Sequence, residues 1–185
     1  WGLFSGALQR AGTSLVANSN LITKVYFPRL VIPISAVAAG LLDFLIAFIV
    51  LLGLMLFYKI QLTWMILTIP LFMLLAILTA LAVSLWLSAL NVQYRDVQHI
   101  IPFLIQGWMY ASPVAYSASL IPTGPWRIIY GLNPLAGVIQ GFRWALLGAS
   151  PPNELLIVSI VIVLILLVSG LYYFRRMERT FADVI

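Results

Sequence analysis

The chain is predicted to be an all-α, polytopic membrane protein. Three observations lead there. Of its 185 residues 63% are hydrophobic and only 8% charged, a balance that a water-soluble fold cannot bury. The apolar residues gather into long runs that reach the roughly 20 positions needed to cross a bilayer. The ten Lys and Arg residues stand mostly at the ends of those runs, as topology determinants do. The net charge of +5 is therefore dispersed, and no basic patch for nucleic acid is formed. The absence of cysteine excludes disulfides, thiolate metal sites and cysteine nucleophiles. The chain opens on Trp1 without a signal pattern, so it is expected to be a single transmembrane domain, 1–185, truncated at its N-terminus.

Residues 1–17 repeat apolar positions at helical spacing through Phe4, Leu8, Ala11 and Leu15, as the end of a span reaching an interface near Arg10 would. A loop, 18–30, follows. Ser19 or Asn20 suits a helix cap and Pro28 a stop, so a short helix is expected between them. Leu21, Ile22, Val25 and Tyr26 give it an apolar edge beside Lys24, fit either to dock into a partner's groove or to lie as an interfacial turn. Residues 31–58 and 64–90 are two long spans, 98–116 a shorter and more polar one, and 154–174 the most apolar and the one expected to be most lipid-exposed. The basic residues Arg10, Lys24, Arg29, Arg95, Arg175, Arg176 and Arg179 fall on one side of these crossings. Lys59, Arg127 and Arg143 fall on the other. The excess marks the first side, with the 175–185 tail, as cytoplasmic.

That parity leaves no crossing for residues 117–153. A helix over 134–147 covers about 21 Å, short of a hydrocarbon core of roughly 30 Å. Two short helices dipping into the outer leaflet are expected, with Asn133 capping the second, Pro134 at its first position, and Arg127 and Arg143 reaching the outer interface. The alternative is an amphipathic loop lying on the surface.

The stretch 91–116 differs from a lipid anchor. A charged loop runs into an apolar segment that carries Gln106, Trp108, Tyr110, Ser112 and Pro113, and polar and aromatic groups at membrane depth point to protein or a pathway. Asp43 is the one carboxylate deep in a long span and is expected to take a structural role, bonded to a neighbouring helix or a dimer mate, with proton coupling as the competing reading. Five scattered acids and a single histidine, His99, do not gather into an intramembrane transferase site. There is also no GxxxxGK[ST] phosphate loop, so no ATP site is expected in this chain.

Four segments occur in order: NLITKVYFPRLVIP from Asn20, LNVQYRDV from Leu90, SPVAYS from Ser112 and YGLNPLAGVIQGFRWALLG from Tyr130. Together they resemble the permease subunits of type 2 ABC exporters that move polysaccharides such as O-antigen, capsule or teichoic acid. The resemblance covers essentially the whole chain. It implies a fold with six spans in the full protein, about four to five of them here, and short re-entrant helices on the outer side. It further implies a homodimer in the bacterial inner membrane that pairs with two copies of a cytoplasmic ABC ATPase. This chain would hold no cofactor, ATP and Mg belonging to the ATPase, and would move a lipid-linked polysaccharide outward. The competing functions are a type 2 exporter of drugs or lipids, an ion-coupled carrier or channel, and least of all a transferase.

Roles follow from the same resemblance. Residues 19–29 match the family's coupling helix, so Asn20, Leu21, Ile22, Lys24, Tyr26, Pro28 and Arg29 would meet the ATPase. Arg95 and Asp96 match the family's cytoplasmic loop, as a local ion pair or part of a gate. Asn133, Pro134 and Arg143 match its outer gate helices. The fifth span would line the path, with Phe103, Gln106, Trp108, Tyr110 and Tyr116 as candidates, because aromatic faces pack against the C–H faces of sugars without holding them tightly. The same aromatics would otherwise fill gaps in the bundle or anchor at the interface.

Overall fold

In the computed structural model of the chain, the residues described are 1–24, 27–60, 63–116, 130–152 and 154–181. Among these residues seven α-helices run in the order α1 Gly2–Ala17, α2 Ser19–Lys24, α3 Val31–Phe57, α4 Ile69–Gln93, α5 Val97–Ala111, α6 Pro134–Leu147 and α7 Glu154–Glu178. A 3₁₀ turn, Trp64–Thr68, leads into α4. No strand occurs among the described residues. Among the described residues three segments are long and apolar enough to cross a membrane: Val31–Phe57, Trp64–Gln93 and Leu156–Glu178.

Helix α4 is the axis of the bundle, packed by α1, α3, α5, α6 and α7. Its C-terminal half is buried nearly all round, from Thr79 to Val92, which explains a composition apolar on every face. Two of its buried hydroxyls turn back on their own helix, Thr79 donating to the Leu75 carbonyl at 2.7 Å and Ser88 to Leu85 at 3.2 Å, while Ser84 Oγ and the Asn91 amide are buried without a hydrogen bond. Against it α1 sets Leu3, Phe4, Ala7, Leu8, Ala11 and Leu15, one buried face at helical spacing. Helix α7 docks on the other side. Trp86 stacks on Tyr173 with centroids 4.5 Å apart and donates to Ser169 Oγ at 3.3 Å.

Four expectations need correction. The helix expected over 98–116 stops at Ala111. Ser112 is extended, at φ −106° and ψ 150°, because the ring of Pro113 disfavours helical geometry in the residue before it. Fifteen residues of helix give about 22 Å, short of a full crossing. Secondly, α3 and not the last span is the least buried of the three long helices: it packs chiefly on α1 and α4, with Phe44 edge-on to Phe142 of α6, and exposes Leu42, Ile46, Ile49 and Leu56. Thirdly, Arg10 does not sit at an interface. It is bonded to Asp43, midway along α3. Lastly, Arg95 and Asp96 form no ion pair. Both are exposed at the turn before α5, where Asp96 is the N-cap residue. Adjacent residues there diverge, and an exposed pair contributes only about 0–1 kcal/mol.

The segments expected in the cytoplasm meet at one end. Ile22 of α2, Val92 at the end of α4, and Phe174 and Phe181 beyond it in sequence share one apolar cluster. The backbone N–H of Arg29 donates to Glu178 Oε1 at 3.2 Å, and its guanidinium donates to the Glu178 carbonyl.

At the opposite end α6 lies between α4 and α7, its cap at Asn133 and its stop at Gly148, whose φ of +63° favours glycine. The approach to α4 is close. A Cβ on Gly141 would come within 2.2 Å of the Phe72 ring, and that ring is itself buried against Phe142 and Trp144. Gly141→Leu is therefore expected to destabilise the bundle by about 1–3 kcal/mol through overpacking. Thermal unfolding in detergent should show a lowered midpoint. An unchanged midpoint would mean that α6 is not packed on α4 as described.

Candidate functional site

Asn133 joins α5 to α6. Its Oδ1 accepts from Leu135 N–H at 3.1 Å, which caps α6, and from Trp108 Nε1, also at 3.1 Å. Its Nδ2 donates to the Ala111 carbonyl at 3.1 Å and to Ser112 Oγ at 2.8 Å. One amide thus fills the first turn of α6, the end of α5 and an indole N–H. Pro134 sits behind it at the first helical position, where a missing N–H costs nothing. From the next turns of α6, Arg143 reaches the same loop: Nη1 donates to the Tyr116 carbonyl at 2.7 Å and Nη2 to Val114 at 3.1 Å. Asn133 and Arg143, two of the three residues expected at the outer gate, therefore converge on residues 111–116, with Pro134 next to Asn133. Arg143 binds that loop in place of reaching out alone to the interface.

The five residues proposed for the path separate. Phe103, Gln106 and Tyr110 are exposed and lie three to four residues apart, on one face of α5 directed away from the rest of the bundle. Trp108 turns inward, where its ring meets Phe4 edge-on at 5.3 Å and its N–H is held by Asn133. Tyr116 folds back over the end of α5, donating to the Tyr110 carbonyl at 3.3 Å. The exposed face thus carries two aromatic rings and an amide, while Trp108 and Tyr116 brace it.

At the other end, α2 offers Asn20, Leu21 and Lys24 outward. Ile22 is buried, 4% exposed, among Leu15, Ile32, Leu85 and Phe174. This corrects the expectation that Ile22 meets a partner directly; its side chain anchors α2 to the bundle. Arg29 is tied to Glu178, and Pro28 ends the loop next to it. Tyr26, Arg127 and the first of the two expected outer helices lie outside the described residues.

Two features escaped sequence reading. One is the pairing of Arg10 with Asp43, Nη1 to Oδ2 at 3.0 Å; each residue stood out alone, but nothing in the spacing set them at one height. The other is an apolar cavity of about 390 Å³ between α1, α3, α4 and α6, lined by Phe4, Phe44, Met55, Met73 and Phe142 with Arg143 at its margin. Its walls come from four helices and leave no periodic signature. No group of three or more metal-ligating side chains occurs among the described residues.

The sequence pattern of the ABC-2 type transporter family matches residues 1–147, from α1 through the end of α6. The chain belongs to the ABC-2 type transporter family. It is a membrane protein, and its apolar helices are those of a polytopic helical permease. Among its relatives is the O-antigen export system permease protein RfbA of Myxococcus xanthus, 29% identical over 182 residues, covering 96% of this chain and 70% of the relative. Two proteins of the same name from Klebsiella pneumoniae are 30% and 28% identical over 188 residues, each covering 100% of this chain and 71% of the relative.

In this permease the Asn133 hub has a measurable consequence. Asn133→Ala strips the cap from α6 and leaves the Trp108 N–H without its acceptor, a loss of about 1–3 kcal/mol. Limited proteolysis should then cut sooner in the 111–116 loop. Equal rates for the variant and the parent chain would show that the amide does not hold the loop.

Proposed function

We propose that this chain is the membrane subunit of an ATP-driven exporter that carries a lipid-linked polysaccharide of the O-antigen type outward across a bacterial inner membrane. The observation that carries this reading is similarity along the whole chain to three permeases whose names state O-antigen export. Two copies of the permease would enclose the path, and two copies of a separate cytoplasmic ATPase would hydrolyse ATP with Mg.

The geometry supplies a mechanical route for that division of labour. Leu21, Asn20 and Lys24 present an exposed surface on α2, while Ile22 fixes the helix to the core beside α4 and α7. A push on α2 by a closing ATPase would thus be passed to packed helices and not lost in a loop. Pro28, Arg29 and Tyr26 belong to the same connection, with Arg29 linking it to the end of α7. Arg95 and Asp96 lie exposed at the turn between α4 and α5, available to a cytoplasmic partner.

Chemistry on the path suits sliding. Phe103 and Tyr110 offer rings to sugar faces and Gln106 an amide to hydroxyls, contacts that are individually weak. Asn133, Pro134 and Arg143 would control the exit through the 111–116 loop they hold. The apolar cavity favours a second reading, in which the cargo is a lipid or drug and the walls take its apolar part. An ion-coupled carrier has less support, since Asp43 is paired with Arg10 and the described residues bring no second acid or His beside it.

Leu21→Asp tests the coupling surface. The residue is about half exposed, so a charge there is tolerated by the fold, and the proposed partner ATPase should no longer co-purify with it in mild detergent. Full retention of the ATPase by the variant would remove α2 from the contact.

A further inference from the structure

Helix α1 has a second face that neither the bundle nor the proposed path has used. Opposite its buried apolar side run Ser5, Gln9, Arg10 and Thr13, all exposed or half-buried. The stripe lies at successive helical turns. Arg10 is joined across it by Asp43 from α3.

The depth of this pair decides what it can face. Asp43 is 12 residues from Val31 and 14 from Phe57, about 18 Å and 21 Å along α3, so the pair sits near the middle of the span. Lipid there would cost several kcal/mol for polar groups left without partners. Yet only one bond joins the two: Nη1 to Oδ2 at 3.0 Å. The other carboxylate oxygen and the remaining guanidinium donors are unoccupied, with the Arg10 side chain 42% and the Asp43 side chain 69% exposed. Two glycines make room for it. A Cβ on Gly6 would meet Arg10 Nη2 at 3.1 Å, and one on Gly40 would meet it at 2.9 Å. The guanidinium is thus seated in a slot between α1 and α3 with its free edge outward.

We propose that this stripe is a second wall of the transport path, at which the hydroxyls of the exported glycan bind. A vicinal diol needs both donors and acceptors at close range, and Arg10 with Asp43 supplies both at one point. Gln9 adds an amide above, and the Ser5 and Thr13 hydroxyls line the approach. A packing helix would have to satisfy the same open valences at fixed positions; a hydrated, hydroxyl-bearing chain does so while moving. Helix α1 also packs on α5, whose exposed face carries Phe103, Gln106 and Tyr110, so stacking and hydrogen bonding would come from neighbouring helices.

The inference rests on the polysaccharide reading, and the test separates the two. The chain has no cysteine, so Gln9→Cys and Thr13→Cys can each be introduced alone in the permease–ATPase complex in vesicles, with Ile49→Cys on the outer face of α3 as a lipid-facing reference. A charged, membrane-impermeant methanethiosulfonate should label positions 9 and 13 but not 49. A polyprenyl-linked oligosaccharide with a non-hydrolysable ATP analogue should slow that labelling several-fold. Labelling only by a lipid-soluble maleimide, no labelling at all, or a disulfide between the position-9 cysteines of two copies would each overturn the wall. Labelling from water without protection by the oligosaccharide would overturn its role in binding glycan. The parent complex is assayed in parallel for ATP-dependent export of the same oligosaccharide. Export with unprotected cysteines removes the wall alone, whereas no export removes the cargo assignment and the wall with it.

Discussion

Hydrocarbon offers no hydrogen bonds, and this constraint organises the bundle from end to end. Several helices bring polar side chains into the bundle, and most are answered locally, although Ser84 Oγ and the Asn91 amide of α4 are buried without a partner. Thr79 and Ser88 turn back on α4; the Trp86 indole finds Ser169; Asn133 uses both ends of its amide on four partners. Where atoms are left open and exposed, as at Arg10 and Asp43, the same rule makes the exposed face informative, because lipid is the one neighbour it excludes.

The two ends of the molecule solve different problems with the same means. At the α2 end, Ile22 and Phe181 seal an apolar cluster and Arg29 ties the first connection to the last helix. Those contacts fix α2 and its connection to the core. At the α6 end, Asn133 and Arg143 hold residues 111–116 by carbonyls and the Ser112 side chain. Such a loop can be released by breaking a few hydrogen bonds, each of small net worth. In the proposed exporter the first end would take the input and the second would form the exit.

Much of this was legible in the sequence because membrane length and proline chemistry are local rules. The long spans and the start of α6 at Pro134 follow from apolar run length and from Asn133–Pro134 as a cap and first position. The early end of α5 was legible too, since Ser112 precedes Pro113, but apolar continuity through Val114 argued for a longer span and misled. What sequence alone did not carry is three-dimensional pairing. Trp108 and Tyr110 look equivalent along the chain, and only the angle between them about the α5 axis separates a brace from an exposed ring. Arg10 was read as an interface residue because it counts as a positive charge near a helix end; its partner lies 33 positions away on another helix. Leu21 and Ile22 share an apolar edge on paper, whereas the packing of α2 buries Ile22 against α4 and α7 and leaves Leu21 half exposed.

The central claim is that this permease moves a lipid-linked glycan when a separate ATPase hydrolyses ATP. The most direct measurement is movement of a labelled polyprenyl-linked oligosaccharide from the ATPase-facing leaflet to the opposite side of proteoliposomes holding both subunits. The account predicts movement that needs ATP, Mg and both proteins together. Equal movement by the permease alone, without ATP, would contradict it and return the chain to the channels or ion-coupled carriers.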